Sequence, residues 1–179
     1  MEAKVRFTHQ ILVEQSKEGD RNAQYQLYKL YVDAMFNIAM RLVTIREDAE
    51  DVVQESFVEA FKKLGSFRYE SSFGAWLKRI VINRSINHLK AKRLLFSSME
   101  NEQEPVEEEN IEEVHELELE KIKIGLSRLP EGYKQIITLY LLEGYDHIEI
   151  GEILGISTST SKSQYHRAKK KLIQIVNAL

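Results

Sequence analysis

Cysteine is absent from this 179-residue chain, which excludes disulfides, thiolate metal sites and thiol nucleophiles. Proline occurs only at Pro105 and Pro130, so long stretches run without a breaker and favour helices. No window approaches the roughly 18 apolar residues that a spanning helix needs. The N-terminal stretch MEAKVRFTHQILVEQSKEGD carries charge throughout and lacks the apolar core of a signal peptide. A cytoplasmic protein with no direct membrane insertion is therefore expected. A glycine-rich phosphate loop and a clustered set of His, Asp and Glu are also missing. His115 and His147 lie near carboxylates, but two isolated histidines do not make a metal site. No catalytic residue, metal, cofactor or small-molecule substrate is expected.

What is present can build a core, since 43% of the residues are hydrophobic. The net charge of −3 conceals a segregation. Residues 94–120 hold 11 glutamates and no Lys or Arg, and the remainder carries 25 basic against 17 acidic residues, about +8. Two basic clusters, LKAKR at 89–93 and RAKKK at 167–171, flank the acidic stretch. Such asymmetry fits polyanion-binding modules joined by a self-repelling spacer.

The fold expected is all-α, two small helical domains joined by an acidic linker, the C-terminal one a helix-turn-helix. The boundaries are 1–94, 95–115 for the linker, and 116–179. Over 50–64, Val53, Phe57, Ala60, Phe61 and Leu64 fall at helical spacing on one face. Asp48, Asp51 and Glu55 lie on the outer side near the helix start, where the dipole favours acid. Gly65 and Ser66 stop that helix, FRYESS at 67–72 forms a loop, and a second helix runs over about 73–93. Upstream, 20–43 reads as one or two amphipathic helices with Leu27, Leu30, Tyr31, Ala34 and Ile38 as the stripe. The polar segment 96–110, which contains Pro105, reads as the linker core. Helical pattern resumes near Ile111 and continues to Leu129.

Pro130 suits the first turn of the next helix, which ends at Gly144. Asp146 and Glu149 have capping-box spacing and open a short helix to Leu154. Gly155 makes a turn, and Ser157 is a natural N-cap for a last helix. On that helix Ser161, Tyr165, Ala168, Leu172, Ile175 and Leu179 form one stripe. Lys162, Ser163, His166, Arg167 and Lys170 share the opposite face. Helix, glycine turn, helix is the spacing of a helix-turn-helix, and the basic face fits a recognition helix in the major groove.

The two halves together resemble the extracytoplasmic-function (ECF) type of bacterial RNA polymerase sigma factor. DAEDVVQESFVEAFKKLGSFRYESSFGAWLKRIVINRSINHLKAKR at 48–93 resembles conserved region 2. LPEGYKQIITLYLLEGYDHIEIGEILGISTSTSKSQYHRAKKKL at 129–172 resembles region 4. The resemblance implies a non-enzymatic subunit that binds core RNA polymerase, directs it to promoter DNA and helps open the duplex. It implies docking on the polymerase clamp helices through Asp48, Asp51, Gln54 and Glu55. It also implies reading of the −10 element by Phe67, Arg68, Tyr69, Ser71, Trp76, Arg79, Asn83, Arg84 and Asn87. In relatives a base flips out of the non-template strand into a pocket at this loop. Phe67 and Tyr69 offer stacking surfaces for such a base, and Arg68 and Ser71 offer donors. Arg84, Lys92 and Arg93 are placed to hold phosphates. The −35 element falls to Lys162, Ser163, His166, Arg167 and Lys170. An anti-sigma factor is a further expected partner.

Departures from the family pattern appear at Ser159, Ser161 and Gln164, where relatives often carry Gly, Val and Arg, and at Tyr140, where they often carry Arg. A polar Ser161 on the buried stripe is expected to weaken packing there, and the lost basic positions to alter −35 preference. The competing reading is a stand-alone helix-turn-helix regulator whose N-terminal half is a sensor domain.

Overall fold

A computed structural model describes residues 9–96 and 119–179. The chain divides into two compact units, one up to Leu95 and one from Phe96 onward, and each is described by itself. Every regular element among the described residues is helical. The expected helical restart over 111–118 and most of the acidic linker lie outside those residues.

The first unit opens with α1 (Gln10–Lys17), for which the sequence pattern gave no sign. Helix α2 (Arg21–Val43) is one continuous helix, and its N-cap Asp20 accepts from the backbone N–H groups of Asn22 and Ala23 at 2.8 and 3.2 Å. Its buried face runs through Ala23, Leu27, Met35, Ile38, Ala39 and Leu42. Two residues of the expected stripe are outside it: Leu30 is 52% exposed and Ala34 is exposed. The packed face follows i, i+4 steps from Leu27 through Tyr31 to Met35, which turns Leu30 and Ala34 past its edge.

Helix α3 (Arg46–Lys63) carries Glu47 and Asp48 in its first turn and Lys62 and Lys63 in its last, so both ends complement the macrodipole. It buries Ala49, Val52, Val53, Ser56, Phe57 and Ala60, while Phe61 is only half-buried. A 3-10 turn over Leu64–Ser66 ends it. The loop 67–72 follows, and then α4 (Phe73–Phe96), a turn longer than its periodicity predicts. Ser72 caps α4, its Oγ accepting from the Ala75 N–H at 3.1 Å. Leu77, Val81, Ile82 and Ile86 of α4 are buried with Leu27, Leu42 and Phe57, and Tyr28 meets Phe57 edge-on at 4.9 Å.

In the second unit α5 (Leu119–Arg128) is followed by α6 (Glu131–Ile137). Pro130 stands as the N-cap, one position ahead of the first turn where it was expected. Helix α6 does not run on to Gly144 as ordinary α-helix. Over Thr138–Leu142 it widens into a π turn, in which the Glu143 N–H bonds to the Thr138 carbonyl at 3.0 Å. Gly144 then takes a positive φ of 77°. Helix α7 (His147–Leu154) starts with a full capping box: Asp146 accepts from Ile148 and Glu149 N–H, both at 2.8 Å, and Glu149 accepts from Asp146 N–H at 2.9 Å. Gly155 closes it in the left-handed region at φ 73°.

Ser157 caps α8 (Thr158–Asn177), accepting from the Thr160 N–H at 3.0 Å. Leu129, Ile137 and Ala168 form a buried cluster on which Leu126, Tyr133, Leu172 and Ile175 pack. The expected stripe of α8 holds at Ser161 and Ala168, but Leu179 is 42% exposed and Val176 is buried in its place. The helix ends at Asn177, so Leu179 lies beyond the geometry that would carry it inward.

Candidate nucleic-acid interface

An aromatic cluster supports the loop 67–72. Phe67 is 4% exposed, with Trp76 at 5.2 Å, Tyr69 at 4.7 Å and Phe73 at 6.1 Å between ring centroids. Phe67 is therefore mainly a foundation of the loop and presents little free face. Beside it opens a hollow of about 360 Å³ lined by Ser66, Phe67, Arg68, Glu70, Ser71 and Trp76. Arg68 is exposed and Ser71 half-exposed, so both donors reach the rim as their residue types require. Tyr69 is half-buried at a positive φ of 59°.

From this hollow, Trp76, Arg79, Asn83, Asn87 and Lys90 continue along α4 at helical spacing, and Asn83, Asn87 and Lys90 are exposed. A groove of about 690 Å³ separates part of this ridge from α3, with Trp76, Asn83, Arg84 and Asn87 on one wall and Asp51, Glu55 and Glu59 on the other. Residues expected to meet DNA and residues expected to meet the polymerase thus face each other. Ion pairs join the walls. Arg84 donates from Nη1 to Glu55 at 2.5 Å and from Nε to Glu59 at 2.6 Å, and Glu59 also holds Lys63 at 2.6 Å. The Lys63 and Arg84 hydrogen bonds hold the Glu59 carboxyl below its usual range, and the Glu59 bond raises Arg84 further.

Asp48 is likewise committed within the chain. Lys92 Nζ lies 2.8 Å and His88 Nε2 3.2 Å from its Oδ2, and the Lys92 hydrogen bond lowers its pKa. Asp51, Gln54 and Glu55 remain exposed on α3. Lys63 and His88 were not anticipated as parts of this surface, because no local pattern shows which helix lies opposite.

In the second unit Lys162, Ser163, His166 and Arg167 are exposed on α8, and Lys170 is half-exposed. Ser163 Oγ donates back to the Thr160 carbonyl at 3.0 Å, which directs its lone pairs outward. Ser161 is fully buried and lies 2.9 Å from His147 Nδ1. Tyr140 stacks on the same imidazole at 4.6 Å with rings 16° apart, and Tyr165 lies 4.5 Å from Tyr140. The two departures at Tyr140 and Ser161 therefore meet on one histidine, and Ser161 is a satisfied hydrogen-bonding group, not a packing defect. Burial, then the nearby Lys162 and His166, push the His147 pKa down. Ser159 hydrogen-bonds the Ser157 hydroxyl at 2.9 Å, extending the cap. Gln164 is half-exposed beside Ser163.

The Sigma-70 region 2 family matches residues 27–94, and the Sigma-70, region 4 family matches residues 125–172. The ECF RNA polymerase sigma-E factor of Haemophilus influenzae is 34% identical, over 93% of this chain and 94% of its own length. The ECF RNA polymerase sigma factor SigW of Bacillus subtilis is 29% identical over 89% and 92%. Among solved structures, CnrH in complex with the cytosolic domain of CnrY aligns at TM-score 0.56 and 26% identity, covering 94% of this chain and 96% of that one. The region 2 match occupies the half that the competing reading gave to a sensor domain, and so disfavours that reading. With both regions matched in order and a relative at 34% identity along nearly the whole chain, this protein belongs to the ECF family of RNA polymerase sigma factors.

Proposed function

We propose that this sigma factor, a transcription initiation factor by family, divides its work between the surfaces described above. Asp51, Gln54 and Glu55 on α3 dock on the clamp helices of core polymerase. The loop 67–72 receives a flipped non-template base of the −10 element, and Asn83 and Asn87 follow the strand along α4. Lys162, Ser163, His166 and Arg167 read the −35 element from α8, with Lys170 on phosphate. The domains extend over 1–94 and 116–179, with 95–115 as the acidic linker. No catalysis resides in the chain, and it acts in the cytoplasm. Among the described residues no helix is long and apolar enough to cross a membrane. CnrH is solved with the cytosolic domain of CnrY, and RpoE of Bartonella quintana with the anti-sigma factor NepR. An anti-sigma factor is accordingly proposed as a partner of this chain.

The observation that carries this reading is the hollow at the loop. It has about 360 Å³, Trp76 packed on Phe67 as its aromatic wall, and Arg68 and Ser71 at its rim, so Trp76 offers the stacking surface and the rim residues the donors that an unstacked base requires. Purified protein mixed with core polymerase tests the whole: a stable complex and a promoter-specific transcript are expected. Absence of both would refute it.

A further inference from the structure

Helix α1 holds the loop 67–72 from behind. Lys17 Nζ donates to the Phe67 carbonyl at 3.2 Å and to Glu14 Oε1 at 2.9 Å. The same ammonium lies 4.6 Å from the centroid of the Tyr69 ring and 5.8 Å from that of Phe67. The Tyr69 hydroxyl donates to the Glu14 carboxylate. That bond, with the one from Lys17, lowers the Glu14 pKa, while burial and the Glu14 bond raise that of Tyr69. Tyr69 sits at φ 59°, a conformation that a bulky residue keeps only where its surroundings hold it. The Lys17 side chain is 20% exposed, so its charge is spent largely on these contacts. The Phe67 carbonyl it grips belongs to the residue that lines the hollow.

We infer that Lys17 and Glu14 are positioning residues for base recognition: α1 presets the loop so that the hollow stands open before DNA arrives. This rests on the loop being the −10 reader. A site prepared in advance avoids ordering the loop at the moment of binding, and because Phe67 lines the hollow, a displacement of its backbone alters the space the base must enter.

The test uses holoenzyme formed with the full chain. It measures affinity for single-stranded non-template oligonucleotides from a mapped promoter, with each of the four bases at the flipped position. Lys17→Ala is expected to reduce discrimination among the four by about tenfold, the scale of one charge-assisted hydrogen bond. Core affinity should stay unchanged, and Lys17→Arg should restore most of the preference. Tyr69→Phe, which keeps the ring and removes only the hydroxyl, should lose part of it and serves if Lys17→Ala folds poorly. Wild-type preference in both Lys17→Ala and Tyr69→Phe overturns the inference. So does an equal loss for all four bases with a shallower salt dependence, which would make Lys17 a phosphate contact. Arg68→Ala and Ser71→Ala are the controls for the loop. If they too leave the preference intact, the loop is not the reader, and the underlying assignment fails first.

Discussion

Replacing Arg84 with alanine separates two roles that the geometry makes compete. Its side chain is 36% exposed, and its guanidinium is bonded to Glu55 and Glu59, whose side chains are 63% and 23% exposed. Ion pairs this open to solvent are worth only about 0.2–1 kcal/mol after screening. Detaching Arg84 from both carboxylates to grip a phosphate therefore costs at most about 2 kcal/mol, roughly a factor of thirty in affinity. Glu59 would not be left bare, since Lys63 stays 2.6 Å away. Arg84→Ala, which removes both pairs, should lower stability by no more than about 2 kcal/mol. If Arg84 holds one phosphate, the variant should also flatten the salt dependence of promoter binding, by about 0.9 in the log–log slope on duplex DNA or about 0.7 on a single strand. Glu59→Gln weakens the competitor and should raise promoter affinity by about two- to fivefold. Holoenzyme–promoter titrations at four or five salt concentrations measure the slope and the affinity, and thermal unfolding of the free chain measures the stability. An unchanged slope in Arg84→Ala, with the melting temperature lowered, would refute the reasoning and leave Arg84 as a brace between helices.

Three further outcomes are expected. Because His147 has a depressed pKa in the folded state, its contribution to stability should be complete above the ordinary histidine range and fade as pH falls through that range and below it. An NMR titration placing His147 at or above the ordinary value would contradict this. Asp146→Ala removes the acceptor of two backbone N–H groups and should cost about 1 kcal/mol; hydrogen exchange localised to α7 reads the loss, and unchanged protection there counts against the cap. Leu77→Ala, at a fully buried position, should destabilise by about 2–5 kcal/mol in urea unfolding, and a loss under 1 kcal/mol would mean that the site is loosely packed.

Features that act within a few residues were readable in advance. Asp146 with Glu149, Gly155 and Ser157 each work over three or four positions, so the turn between α7 and α8 follows from the sequence. Family membership was legible for a related reason, since two long ordered motifs span both halves. What stayed hidden depends on partners far along the chain. Helix α1 buries only Val13 and Ser16 and makes its telling contact with Phe67, fifty residues on. Arg84 reads from the sequence as a phosphate contact, and nothing local shows the carboxylates of α3 opposite it. Ser161 looked like a weakness because the imidazole it meets belongs to another helix, fourteen residues earlier. Periodicity assigns a face; it does not say what lies across from it.

The π turn at Thr138–Leu142 also matters for how this chain can vary in length. A π turn is an α-helix that has taken in one extra residue and absorbed it as a local bulge. Removing Leu141 or Leu142, both exposed, would let the Ile137 end continue as ordinary α-helix while the helix-turn-helix beyond Gly144 keeps its register. A deletion one turn earlier, inside α6, would instead rotate Leu139 out of the core and carry Tyr140 away from His147. Length changes that leave DNA reading intact should therefore concentrate at this turn, which makes it the natural place to graft or trim when this domain is recombined with others.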